Sequence, residues 1–124
     1  MTLKKALVEF DSLYRNNIPS EIKIEWLSFL DLTVYKEVLL SHENPPQSHA
    51  LPYTADTPED TPLLVEDPYS ELYIKFLSMK KDLYYSDIAR YNNDVILYSA
   101  SYEDFKNYYN KTHKPIKNIS FFNA

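Results

Sequence analysis

The chain has 124 residues and not one glycine. Primed hairpin turns need positive φ, which glycine supplies at least cost, so tight β-hairpins are disfavoured. Gly-rich phosphate loops, the dinucleotide-binding fingerprint and the usual glycine helix caps are excluded outright. What is left is a mainly α fold. The length fits one domain, residues 1–124, with a modest core. Hydrophobic residues make up 44% and charged residues 25%, ordinary globular usage that argues against disorder. A net charge of −5 argues against direct nucleic-acid binding. The absence of cysteine removes disulfides and thiolate metal sites. No apolar run approaches the ~18 residues of a membrane span. Glu9 and Asp11 interrupt the N-terminal apolar stretch, so it does not read as a signal peptide.

Leu3, Leu7, Phe10 and Tyr14 recur at helical spacing, with Thr2 as N-cap, and predict a short first helix. "NNIPS" ends it. A second helix is expected from Pro19 or Ser20 to about Ser41. Its stripe is Ile22, Trp26, Phe29–Leu30, Thr33–Val34 and Val38, widened by Ile24, Leu27 and Leu39. Next comes a long Pro-rich loop, residues 42–67, with six acids and no Lys or Arg. Loops this long in a compact domain are usually functional or disordered. Leu63, Leu64 and Val65 are an apolar patch inside it, expected to pair with Ala50–Tyr53 as a scrap of β-structure or to dock on the helices. "DPYSEL" restarts helix, with Asp67 as N-cap and Pro68 at the first helical position.

From there Tyr84, Ile88, Tyr91, Val95, Tyr98, Tyr102, Phe105 and Tyr109 repeat at steps of four and three. That period of about 3.5 residues implies coiled-coil-like packing. It predicts one very long C-terminal helix, roughly residues 69–112. The alternative is a helical hairpin turning near Asn92–Asn93. Residues 114–124 form a basic arm that ends in Phe121 and Phe122 and must dock or stay exposed.

Little in the sequence points to catalysis. His42 and His49 lie near acids, but their spacing matches no ligand pattern. No serine sits in a nucleophile-elbow context. Asp31 lies among apolar helix residues, where paired carboxylates could do acid–base work; a hydrogen-bonded carboxylate is the ordinary role for such a residue. No cofactor, metal site or enzymatic activity is expected. Twelve tyrosines offer large contact area with polar tips, which suits protein–protein contact. Trp26, Leu63, Leu64, Tyr84, Tyr91, Tyr98, Tyr102, Phe121 and Phe122 are the candidate interface residues.

Residues 17–115 resemble a family of small phage and prophage proteins of Gram-positive bacteria, encoded in the head-morphogenesis region between capsid and tail genes. "EWLSFLD", "LLVEDPYSELY" and "RYNNDVILY" carry the likeness most specifically. Members of that family often have a glycine after "LD", where this chain has Leu32, and the aromatic tail is particular to this chain. The resemblance implies a head–tail connector or head-completion protein without a catalytic motif. Its partners would be itself, in a ring, together with a portal and a tail-side adaptor. Its location would be the host cytoplasm during assembly and then the virion. A different reading of the acidic loop is a small regulatory or inhibitor protein that binds a host target.

Overall fold

The computed structural model describes residues 1–47 and 50–116. Four helices make the fold: α1 (Leu3–Leu13), α2 (Ser20–Glu37), α3 (Glu71–Tyr84) and α4 (Ile88–Thr112). A short 3-10 turn, Leu39–Ser41, follows α2. Helix α3 is the hub. It buries Leu72, Tyr73, Ile74, Phe76, Leu77, Ser78, Lys81 and Asp82, residues that encircle most of a helix and imply neighbours on more than one side. Those neighbours are α1, α2 and α4.

The mainly α fold and the long C-terminal helix are as expected, but that helix begins at Ile88 rather than near residue 69. A tight turn over residues 85–87 folds α4 back against α3. The two helices run antiparallel: Ser78 Oγ donates to Asp94 at 2.9 Å, Lys75 Nζ to Ser101 at 2.8 Å, and Phe76 packs on Tyr98 at 5.1 Å between centroids. The hairpin alternative thus holds in kind, at a different place. Asn92 and Asn93 lie inside α4. The turn hides from a sequence reading because Ser86 takes the left-handed conformation, at φ 59°, where glycine would be the usual marker.

Helix α1 is capped as expected, Thr2 Oγ1 accepting from Lys5 N–H at 3.2 Å. Helix α2 ends at Glu37, four residues early, and its chain tightens into the 3-10 turn. Its buried face is Lys23, Ile24, Leu27, Ser28, Leu30, Asp31 and Val34. Phe29, expected on that face, points outward and is 64% exposed. Helix α3 starts at Glu71, later than "DPY" predicts. Residues 66–70 close a turn of their own, with Tyr69 N–H bonded to Glu66 O, and Asp67 accepts from the Ser70 hydroxyl instead of capping the helix.

The Pro-rich loop docks on the helices. Leu3 N–H and Lys4 N–H, free at the start of α1, donate to Thr61 O (2.9 Å) and Glu59 O (3.0 Å), while Leu63 N–H donates to Met1 O. The β-bridge there joins Thr2 to Pro62, so residues 50–53 do not pair with 63–65 as the β-scrap reading expected. Tyr53, Leu63 and Val65 are core residues. At the other end a second bridge joins His42 to Pro115. The root of the C-terminal arm is therefore tied to the same chain, through Glu43 N–H to Lys114 O (2.8 Å) and Ile116 N–H to Ser41 O (3.0 Å). Phe121, Phe122 and the rest of the arm beyond Ile116 lie outside the described residues.

Candidate protein-interaction surface

The turn between α3 and α4 gathers apolar side chains that the core does not cover. Leu83, Tyr84, Tyr85 and Ile88 are all exposed there. Helix α2 brings Trp26 beside them. Its ring meets Tyr84 edge-on at 6.2 Å, and Tyr84 meets Tyr85 edge-on at 5.2 Å. Edge-to-face contact of this kind fixes ring orientation. Lys80 Nζ lies 5.8 Å from the Trp26 ring, a cation–π pairing on the same face. Phe29 is one turn along α2 from Trp26, so it extends the same side of the helix. Tyr85 Oη accepts from Asn17 N–H at 2.8 Å, which ties the turn to the α1–α2 connection. The result is an aromatic ledge with open faces.

Of the residues singled out from sequence, Trp26 and Tyr84 meet in this ledge. Tyr91, Tyr98 and Tyr102 are half-buried along α4, and the last two pack against the core. Tyr102 Oη also donates to Glu37 of α2 at 3.0 Å. Burial pushes the Tyr98 and Tyr102 phenols well above their ordinary range, and Glu37 adds to the effect, so both stay neutral. Leu63 is instead a core residue, and Leu64 is half-buried against the core. Phe29, Tyr85 and Ile88 belong to the ledge but not to the sequence-based set: Phe29 and Ile88 fit an inward stripe, and Tyr85 lies on no stripe at all.

Three polar constellations lie elsewhere. The first centres on Asp31, fully buried on α2. It accepts from Tyr53 Oη at 2.5 Å, Tyr73 Oη at 2.6 Å and Leu64 N–H at 3.1 Å. Burial raises its carboxyl above the ordinary value, and the three donors offset part of that. The side chain is fully enclosed and its oxygens are taken up by these three donors, so this carboxylate acts as a joint between segments. Asp31 belongs to "EWLSFLD", and Leu64 and Tyr73 to "LLVEDPYSELY"; the two stretches meet at one carboxylate.

The second is Ser41, His42 and Asn110. Ser41 Oγ lies 3.0 Å from His42 Nδ1, and His42 Nε2 lies 2.8 Å from Asn110 Oδ1. The order resembles a nucleophile and its base, but Nδ1 also sits 2.6 Å from the Val38 carbonyl. An N–H on Nδ1 donating to that carbonyl cannot take a proton from serine, and Ser41 itself donates to Val38 O at 2.7 Å. His42 joins the end of α2 to the end of α4, where its ring packs edge-on against Tyr109. The other histidine considered with it, His49, lies outside the described residues. The third constellation, Lys81, Asp82 and Asp94, is taken up below.

The loop's acids remain at the surface, partly matched within the chain. Glu59 lies 3.5 Å from Lys4. Asp67 is held below the ordinary carboxylate range by the Ser70 hydroxyl, with the N-terminal amine and Lys5 contributing. No helix among the described residues is long and apolar enough to cross a membrane. No protein-family model, curated protein or solved structure matches the chain.

Proposed function

We propose that this chain is a phage structural protein, a head–tail connector or adaptor subunit that works through protein–protein contacts. The aromatic ledge of Trp26, Phe29, Tyr84, Tyr85 and Ile88 carries the reading, since exposed apolar surface held on a rigid frame marks an interaction site. The resemblance of residues 17–115 to small head-morphogenesis proteins supplies the type of assembly. Partners on this reading are further copies in a ring, a portal and a tail-side adaptor, and the mature location is the virion.

The test is reconstitution with the portal and tail-side proteins encoded beside it, followed by light scattering and negative-stain imaging. Rings or complexes are expected. Tyr84→Glu together with Phe29→Glu should weaken them by about tenfold or more, because truncating central hot spots costs that much. Circular dichroism should stay unchanged. The exposed acids Asp56, Glu59, Asp60 and Glu66 favour a second reading, a regulatory or inhibitor protein that binds basic surface on a host protein. Recovery of one host protein, lost on neutralising those acids, with no virion protein bound, would establish that reading in place of the first.

A further inference from the structure

Asp82 is 1% exposed on α3, close to the turn. One carboxylate oxygen accepts from Lys81 Nζ at 2.8 Å. The other, Oδ2, is buried without a hydrogen-bond partner. A buried acceptor left bare is costly and calls for an explanation. Its neighbour across the hairpin is a second carboxylate: Asp94, on the second turn of α4, receives Ser78 Oγ at 2.9 Å, and Ser78 stands one helical turn from Asp82 on the same face of α3. Two ionised carboxylates can only accept, so neither can satisfy the other. One proton between them turns the clash into an O–H···O bond and leaves no bare oxygen.

We propose that Asp82 and Asp94 share one proton in the folded protein, and that this proton clasps the first turns of α4 to α3. The surrounding charges fit a pair holding one negative charge. On α3, Lys81 supplies a single positive charge and is itself nearly buried, its ammonium 5.1 Å from the Tyr14 ring that follows α1. Asp11 of α1 and Lys23 of α2 are occupied with each other at 2.7 Å. At the head of α4, Asp87 is turned toward Arg90, 3.7 Å away, and caps that residue's N–H. Burial, with Asp94 next in weight, raises the Asp82 carboxyl above its ordinary value. The backbone takes part as well, Asp82 O accepting from Asp87 N–H at 2.8 Å across the turn. The clasp therefore joins the two helices at the turn that carries Tyr84, Tyr85 and Ile88, and losing the proton at higher pH loosens that turn.

A carboxyl raised in the folded state favours folding below its ordinary value, and that contribution is lost as pH rises through the raised value. The experiment is a carbon-detected titration of the aspartate carboxyls in the whole protein, with hydrogen exchange measured over the same pH range. The pair should show a step above the ordinary aspartate value of about 3.9, read as a property of the pair. Asp82→Asn and Asp94→Asn should each abolish that step, and either variant suffices if the other fails to fold. Amides 88–95, corrected for intrinsic rates, should exchange about tenfold faster above the step in the native protein, and this change should be absent in the variants. Asp82→Asn, whose amide can donate to Asp94, should be at least as stable as the native protein at pH 7. A native protein with no step above the ordinary range overturns the proposal. So does a step that persists in both variants, or an Asp82→Asn protein as destabilised as Lys81→Met, which would mark an ordinary ionised pair.

Discussion

Asp31 shows how one polar residue can organise an apolar core. No cation lies among the partners that fix it; two phenols and an amide supply the compensation. Those donors come from three separate places, two in the Pro-rich segment and one on α3, so the carboxylate fastens the loop to α2 and α3 together. Tyr73 Oη is used twice, since it also accepts from Val65 N–H at 2.7 Å. Asp31→Ala should cost at least about 3 kcal/mol, because two hydroxyls and an amide lose their acceptor at about 1–3 kcal/mol each. Asp31→Asn keeps an acceptor oxygen and should cost about 1–2 kcal/mol. Urea unfolding measures both, and equal losses would show that the acceptor oxygen kept by Asn contributes nothing to holding these donors. The pH dependence has a defined sign. The carboxyl is raised in the fold, so its contribution is greatest below the ordinary value of 3.8 and declines as pH rises through the raised one. Asp31→Asn should remove that part of the slope.

At the scale of elements, local chemistry made the start of α1, the start of α2, the end of α4 and the helical class readable. Thr2 caps, and prolines stand where helix is interrupted. The buried face of α2 was not readable from apolarity. Ser28 and Asp31 lie inside because Tyr53 N–H and three other donors reach them from distant residues, and periodicity carries no trace of those partners. The α3–α4 turn was equally silent. The stripe of four-and-three steps stays in phase across it, and only a positive φ at Ser86 marks the reversal. The aromatic ledge follows from that unseen turn, which is why only Trp26 and Tyr84 of its members stood out beforehand. Left-handed φ costs a non-glycine residue about 1–2 kcal/mol, while glycine loses about 0.4–1 kcal/mol through the unfolded chain. Ser86→Gly should therefore stabilise the protein by about 0.5 kcal/mol. Ser86→Val should destabilise it, because branching at Cβ worsens the same clash. Thermal denaturation of the pair checks the assignment, and a destabilising glycine would place the turn elsewhere.

For the whole molecule, the long central segment serves as a fourth side of the helical core. It satisfies the first amides of α1, contributes Tyr53, Leu63 and Val65 to the core and supplies donors to Asp31. A segment with six prolines between residues 45 and 69 loses less chain entropy on ordering than a flexible one would. The far end of the molecule is closed in a similar way, by residues that follow α4. His113 stacks flat on Tyr109 at 3.7 Å, Lys114 O receives Glu43 N–H, and Ile116 N–H reaches Ser41 O. The root of the arm, as far as Ile116, thus docks on the fold, one of the two outcomes the sequence left open for residues 114–124. Ending the chain after Thr112 should remove three backbone hydrogen bonds, those of Glu43 N–H, His113 N–H and Ile116 N–H, worth about 0.5–1.5 kcal/mol each, along with the His113 stack. The expected loss is about 1.5–4.5 kcal/mol, and amides 39–44 should exchange faster as the start of the loop is released. Ending the chain after Ile116 keeps every one of these contacts and is the matched control. If both truncations melt together at the native temperature, the root adds nothing to the fold and the arm is left to assembly alone.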